Sequence, residues 1–348
     1  DFVIDIVVDV IGWLIPTPEI PDFGVGEFDD YETGLLLNKQ SNDASIPVMY
    51  GERLIGGTRV MLQSSGATNE YLYICLAIAE GEINAIEEIR INDKAVKFDS
   101  GSGIATNSIS DNVQFNVHGT DLNFFKADPT VEDSSAESLI TIEAHFGSDG
   151  QSASSLLSSL SNWGSNHKLS GICYLALKFK WNQDAFTGIP KVQKVVAYNS
   201  SLAAQTAAYS TNPAWCMLDF LTNERYGKGL AIADINLQSF YDASQICVTQ
   251  VTPYSGGSDI NIFETNAVLD TSKKVLENVR ELIKGCRGYL PYIGGKYNLV
   301  IETTGSSTLS LNEDDVFGGI KLQSENKNNK YNRVIVSFIN PDRNYQVD

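Results

Sequence analysis

The sequence predicts a mainly β protein with an α+β part, and three observations carry that reading. Apolar residues alternate with period two along Ile46–Val60, Tyr71–Ala79 and Gly171–Trp181. Between Asn212 and Gly288 the period changes to that of a helix. Gly294-Gly295 then joins two short apolar runs, a pairing that suits a twisted two-residue hairpin loop.

Taken in order, Asp1 to Ile15 is apolar apart from Gly12 and three carboxylates spaced four apart, Asp1, Asp5 and Asp9. On a helix these form one stripe, with Phe2, Ile6, Val10 and Trp13 among the residues turned elsewhere. A membrane span needs about 20 apolar residues, so the expectation is a helix docked against protein and no membrane span. A basic start, as in a signal peptide, is missing. Pro16, Pro18 and Pro21 make the following stretch extended and stiff, and Asp22–Thr33 is acidic, so residues 1–37 form an apolar helix and an arm.

From Ile46 the pattern is strand, glycine-marked bend, strand. Tyr71–Ala79 sets Leu72, Ile74, Leu76 and Ile78 on one face and Tyr71, Tyr73 and Cys75 on the other. A strand apolar on both faces is covered on both sides, by its own core and by either a second layer or a partner chain. Asn92-Asp93 supplies turn chemistry after Ile89 and Ile91. Residues 99–168, rich in Ser, Gly, Asn and Asp, read as an insertion of hairpins and loops, with strand-like islands at Val113–Val117 and Leu139–Phe146. Val192–Tyr198 adds a strand. Asn212-Pro213 is a cap with proline at the first helical position, and Trp215, Leu218 and Leu221 follow at helix spacing before Gly227. A second helix over Asp234–Val248 lines up Leu237, Phe240, Tyr241 and Cys247. Asp270 caps a third, with Val275, Leu276, Val279, Leu282, Ile283 and Cys286 as its stripe. After a polar run, Ser324–Asn332, Arg333–Ile339 reads as a strand.

At 348 residues, 43% apolar and 10% aromatic, the chain can bury two or three cores. A net charge of -18 excludes a phosphate-binding surface as the main business of the protein, since nucleic-acid binders concentrate Lys and Arg. Cys75, Cys173, Cys216, Cys247 and Cys286 are widely spaced, with no CxxC, and read as buried free thiols of a protein folded in a reducing cytoplasm.

Several short blocks then resemble one family. Ile46-Pro47-Val48-Met49-Tyr50-Gly51 with Gly56-Gly57 resembles the opening motif of phage tail-tip proteins of the lambda J type, the central hub and host-specificity proteins of long-tailed phages. Leu76–Ile83 with Gly81, continuing to Ile89–Asp93, looks like the family's next block. Asn212-Pro213-Ala214 leading to Arg225-Tyr226-Gly227 comes third. Cys286-Arg287-Gly288-Tyr289 with Gly294-Gly295-Lys296-Tyr297 is next, and Asn332-Arg333-Val334 to Asn340-Pro341-Asp342 completes the series in the family's order. Residues 99–168 carry no such likeness.

The resemblance implies a homotrimeric structural protein of the virion tail tip, assembled in the host cytoplasm. It would close the tail tube, meet distal tail or tube-ring proteins and the tape-measure protein, and form the route for genome ejection. Receptor contact would come through parts absent from this chain. It further implies a tail-tube-like β-barrel over 38–205, interrupted at about 99–168, an α+β hub domain over 206–315, and the start of a second barrel over 316–348. Tyr50, Tyr226 and Tyr289 are expected as core or interface anchors, and Asp1, Asp5 and Asp9 as a stripe facing solvent or an acidic lumen.

Two other classes compete with the hub. A cell-wall hydrolase needs a nucleophile or a paired acid and base, yet His118, His145 and His167 sit in no HExxH and near no GxSxG. The adjacent pairs Glu87-Glu88, Asp29-Asp30 and Asp314-Asp315 read as solvated charge, and Asn312–Gly319 lacks the alternation of a calcium loop. No enzyme, cofactor or metal site is therefore expected. The alternative is a carbohydrate- or receptor-binding module of a tail, suggested by the β-rich start, 15 tyrosines and four tryptophans.

Overall fold

The computed structural model describes residues 38, 44–99, 105–106, 109–118, 138–182, 186, 188–198, 210–253, 256–303, 338–340, 343 and 345–347. Asp1–Ile301 forms one compact unit and Glu302–Asp348 a second.

The first unit is built on one large sheet. Its strands are β1 (Val48–Tyr50), β2 (Glu52–Ile55), β3 (Thr58–Ser65), β4 (Tyr71–Glu80), β5 (Ile83–Ile91), β6 (Lys94–Asp99), β7 (Ala105–Thr106), β8 (Gln114–His118), β9 (Ile140–His145), β10 (Ile172–Lys180) and β11 (Val192–Tyr198). They hydrogen-bond in the order β4-β10-β9-β8-β6-β5-β11-β2, with β3 on the other side of β4 and β7 beside β6. The two ends of this path, β3 and β2, are consecutive in the chain and separated only by Gly56-Gly57. A sheet whose opposite edges are joined by two residues has to curl, and the result is a half-barrel. Gly57 turns that corner at φ +94°.

The period-two strands fold as their pattern demands. Leu72, Ile74, Leu76 and Ile78 of β4 enter the main core with Leu175, Leu177 and Phe179 of β10 and Ile140 and Ile142 of β9. Tyr73 and Cys75 turn outward and are covered by Leu156, Leu157, Leu160 and Trp163 of the same chain. The second cover left open by the sequence is thus an internal layer, residues 154–163, and not a partner subunit. The segment read as an insertion also contributes to the sheet, since β8 and β9 lie between β10 and β6. The β5–β6 turn, Asn92-Asp93, has φ +50° and +65°, as a two-residue hairpin requires.

Three α-helices follow among the described residues: α1 (Pro213–Thr222), α2 (Leu237–Cys247) and α3 (Val275–Lys284). The Asn212 side chain caps α1 by accepting from the Ala214 N–H at 3.0 Å, and its amide donates to the Ser244 carbonyl of α2 at 3.0 Å. All three helices turn apolar residues into the same core as the sheet, with Cys216, Met217, Phe220, Phe240, Cys247, Val279 and Leu282 among them. Two of the expected stripes were too wide. Leu237 and Tyr241 of α2 are 45% and 51% exposed, and Leu276 of α3 is 58% exposed. The third helix begins at Val275, later than Asp270, which instead closes a turn by accepting from the Ser272 N–H. All five cysteines are free and buried.

The chain between and after the helices makes small pairings: β12 (Gln250–Val251) with β13 (Ile260–Asn261), and β14 (Ala267–Leu269) with β1. The expected hairpin is present, β15 (Gly288–Tyr289) pairing with β18 (Val300–Ile301) and β16 (Tyr292–Ile293) with β17 (Lys296–Tyr297). Gly294 and Gly295 turn it at φ +63° and +80°. In the second unit β19 (Ile339–Asn340) pairs with β20 (Gln346–Val347). Asp1, Asp5, Asp9, the proline arm and Asn312–Gly319 lie outside the described residues, as does most of the strand expected over Arg333–Ile339.

Candidate functional site: a junction built from the sequence blocks

Three of the sequence blocks meet in space. Tyr50, at the end of β1 and fully buried, donates from its hydroxyl to Asp219 Oδ2 of α1 at 2.6 Å, and Tyr226 donates to the same oxygen at 2.9 Å. Burial pushes the Asp219 carboxyl pKa up, and the two phenol hydrogen bonds oppose this without cancelling it. A shared acceptor thus ties the first block to the third. Sequence spacing had singled out both tyrosines but not the acid between them, because Asp219 sits in an apolar helix with no motif around it.

The second block joins through Arg225. Its Nε lies 2.7 Å from Glu80 Oε2 at the end of β4, and an Nη donates to the Ser170 carbonyl at 3.0 Å. Pro47 accepts from the Glu80 N–H at 2.9 Å, and the Gly81 N–H donates to the Gly171 carbonyl at 2.8 Å. Close approach explains the glycines. A Cβ on Gly171 would overlap the Arg225 guanidinium, one on Gly227 the Phe220 carbonyl, and one on Gly51 the Thr265 carbonyl. Gly51 also stands at φ +72° between β1, which pairs with β14, and β2, which pairs with β11.

The fourth block forms the Gly288–Ile301 hairpin. It is anchored to the start of α2, where Asn236 N–H donates to the Tyr297 carbonyl at 2.9 Å and the Leu299 N–H to Ser239 Oγ at 3.0 Å. Tyr289, expected as an anchor, is 61% exposed and leaves the core role to its neighbours Gly288 and Ile301.

A polar group that the sequence did not reveal lies under the covering layer. Glu143 and His145 of β9 are both completely buried, and His145 Nε2 is 3.2 Å from Glu143 Oε1. Glu143 also accepts from Ser154 Oγ at 2.7 Å, Leu156 N–H at 2.7 Å, and the Ser155 N–H and hydroxyl at 3.1 Å. Burial alone would raise this carboxyl, but the donors win and its pKa falls to about 2. The His145 ring stacks on Tyr174, 4.3 Å between centroids. Histidine, serine and carboxylate therefore coincide, but in the wrong order for nucleophilic chemistry: the serine hydroxyl reaches the acid and not the imidazole. The group is a pin that fastens residues 154–156 to the sheet.

In this β-rich unit the singled-out side chains that the structure describes hold elements together across the fold. Among the described residues no three His, Cys, Asp or Glu side chains converge to hold a metal ion. The chain is similar in sequence to phage tail proteins named for the hub and the tip. It is 24% identical to the baseplate hub protein pb3 of Escherichia phage T5 over 352 aligned residues, covering 85% of this chain and 36% of that protein. It is 27% identical to the tip attachment protein J of Escherichia phage SECphi27 over 145 residues, covering 40% of this chain and 12% of that one. The chain thus spans about a third or less of these relatives' length. No family model matches it. A solved virion of a native gene transfer agent particle contains a chain that superposes with a TM-score of 0.43 at 12% identity, covering 80% of this chain and 58% of that one.

Proposed function

We propose that this chain is the central hub of a phage tail tip, a structural protein and not an enzyme. Three copies form a ring that closes the distal end of the tail tube, meets the tube-ring and tape-measure proteins, and leaves a route for the ejected genome. Receptor contact comes from parts of the tip outside this chain. The observation that carries the reading is the similarity to a baseplate hub protein over 85% of the chain, and the joining of the first three blocks at Tyr50, Asp219, Glu80 and Arg225 supports it. Because the outer face of β4 is covered from within the chain, a ring contact must use other surfaces. The net charge of -18 suits a lumen along which DNA slides without being held, with Asp1, Asp5 and Asp9 as contributors.

A reconstruction of the assembled tip without imposed symmetry tests this. Three copies around the tail axis are expected, with an acidic channel. A monomer, a ring of another order, or a lumen lined chiefly by Lys and Arg overturns it. Purified protein is expected to leave peptidoglycan and host polysaccharide intact, and turnover abolished by one Glu or His substitution would reverse the structural assignment.

A further inference from the structure

Two exposed apolar patches flank α2, and they differ in charge. The first runs along the helix itself. Leu237, Tyr241 and Val248 fall within about 40° of one another at 3.6 residues per turn, and all three are exposed. Ile260 and Ile262, two apart on one strand face and also exposed, extend the patch. The Ile262 N–H donates to the Thr249 carbonyl at 2.9 Å and the Phe263 N–H to the Cys247 carbonyl at 3.3 Å, which sets this strand beside Val248 at the end of the helix. An exposed apolar residue alone needs no explanation, but neighbouring ones that form a continuous surface mark an interaction site.

The second patch is the Gly288–Ile301 hairpin. Tyr289, Tyr292, Ile293 and Val300 are exposed on it, and Tyr292 meets Tyr297 edge to face with 4.9 Å between ring centroids, so the tip presents a preformed aromatic surface. Ser239, which accepts from the hairpin's Leu299 N–H, lies about half a turn of α2 away from the first stripe. Phe240, Ala243 and Cys247, all buried, separate the two sides. The patches therefore stand on different sides of one helix and cannot meet within one copy. Their charges are complementary. Residues 229–272 hold five acids and no lysine or arginine, whereas residues 273–300 hold six lysines and arginines against two glutamates, in a chain of net charge -18. Asp242 and Asp259 are exposed in the first stretch, and Arg280, Lys284 and Lys296 in the second.

We infer that the partner of each patch is the other patch on a second copy of this chain: the Tyr292–Ile293 tip of one copy lies on the Leu237–Tyr241–Val248 stripe of the next, with Arg280 and Lys296 toward Asp242 and Asp259. Such a contact joins unlike surfaces head to tail, which is the kind that closes into a ring, whereas a self-complementary patch would stop at a pair. The inference rests on the proposed ring and names the surfaces that would form it. The apolar centre supplies the adhesion, and the flanking charges fix which surface meets which.

Sedimentation of the purified chain over a range of concentration and salt tests it. Trimers that loosen with added salt are expected. Ile293→Ser at the exposed tip, Asp242→Lys/Asp259→Lys on one patch and Arg280→Glu/Lys296→Glu on the other are each expected to weaken association at least tenfold, with unfolding midpoints close to that of the parent. The chain carrying all four charge reversals should recover most of the association, because opposite charges face each other again. No recovery, or a loss caused by only one of the two charge-reversed pairs, overturns the pairing of these patches. A trimer that none of the substitutions weakens overturns this contact and leaves the ring standing. A chain that never associates overturns the contact, while the reconstruction of the assembled tip decides the ring separately.

Discussion

Replacing Glu143 by Gln keeps the shape of the buried pin and removes its charge. The carboxylate collects four donors from residues 154–156 and one from His145 with no solvent access. Its pKa falls from the ordinary 4.5 to about 2. That difference corresponds to about 3 kcal/mol of folding free energy at neutral pH, taking 1.36 kcal/mol per unit. Because the folded pKa is depressed, this contribution is full above the ordinary carboxylate range and is lost as pH falls from about 4.5 to about 2. A glutamine would also turn its own N–H groups toward the Leu156 N–H or the serines, leaving donors facing donors. Denaturant unfolding at pH 7 is expected to show Glu143→Gln less stable by roughly 2–3 kcal/mol, with about 1 kcal/mol of the difference left near pH 3. Hydrogen exchange should find the Ser155 and Leu156 amides deprotected in the variant at pH 7. A variant as stable as the parent at pH 7, or an undiminished difference at pH 3, would refute the charged-pin account.

Three further outcomes follow from the junction. Asp219 has its pKa raised by burial, so its contribution is full below the ordinary aspartate value and is lost as pH rises through the raised one. The stability difference between the parent and Asp219→Asn should move in the parent's favour on acidification from pH 7 to pH 4, opposite in sign to Glu143, and a flat profile would sink the assignment. Gly51→Ala meets both a positive φ and the Thr265 carbonyl, whereas Gly294→Ala meets a positive φ in open space. Urea unfolding should show a loss of about 1 kcal/mol for Gly294→Ala and at least about twice that for Gly51→Ala, equal losses counting against the close-approach argument. Arg225 is 45% exposed at its side chain, so its bond to Glu80 is worth only about 0.5–1 kcal/mol. A double-mutant cycle with Arg225→Ala and Glu80→Gln should return a coupling of that size, and zero coupling would show that Arg225 acts only through Ser170.

Much of the architecture was legible because it rests on local periodicity. The alternation in Tyr71–Ala79, the Asn212-Pro213 cap and the Gly294-Gly295 turn each state a backbone conformation within a few residues, and each is found as read. The helix stripes were legible only in part. Periodicity says which residues share a side but not how wide a side the sheet covers, so Leu237, Tyr241 and Leu276 were assigned to a face that solvent shares. The islands Val113–Val117 and Leu139–Phe146 were legible as strands and are β8 and β9, but the polar look of residues 99–168 around them concealed that both lie inside the main sheet.

The sequence by itself determined the β-rich class, the turns, the free buried thiols and, through the order of its short blocks, the relation to phage tail hubs. Tertiary structure alone decided which residues answer one another across the chain. Asp219 meets Tyr50 from 169 positions away, Arg225 reaches Ser170 from 55, and Lys178 meets Thr141 and Asn116 only through the order of strands in the sheet. Such pairings follow from which strands lie side by side once the sheet curls, a consequence of packing the whole core that no window of neighbouring residues contains.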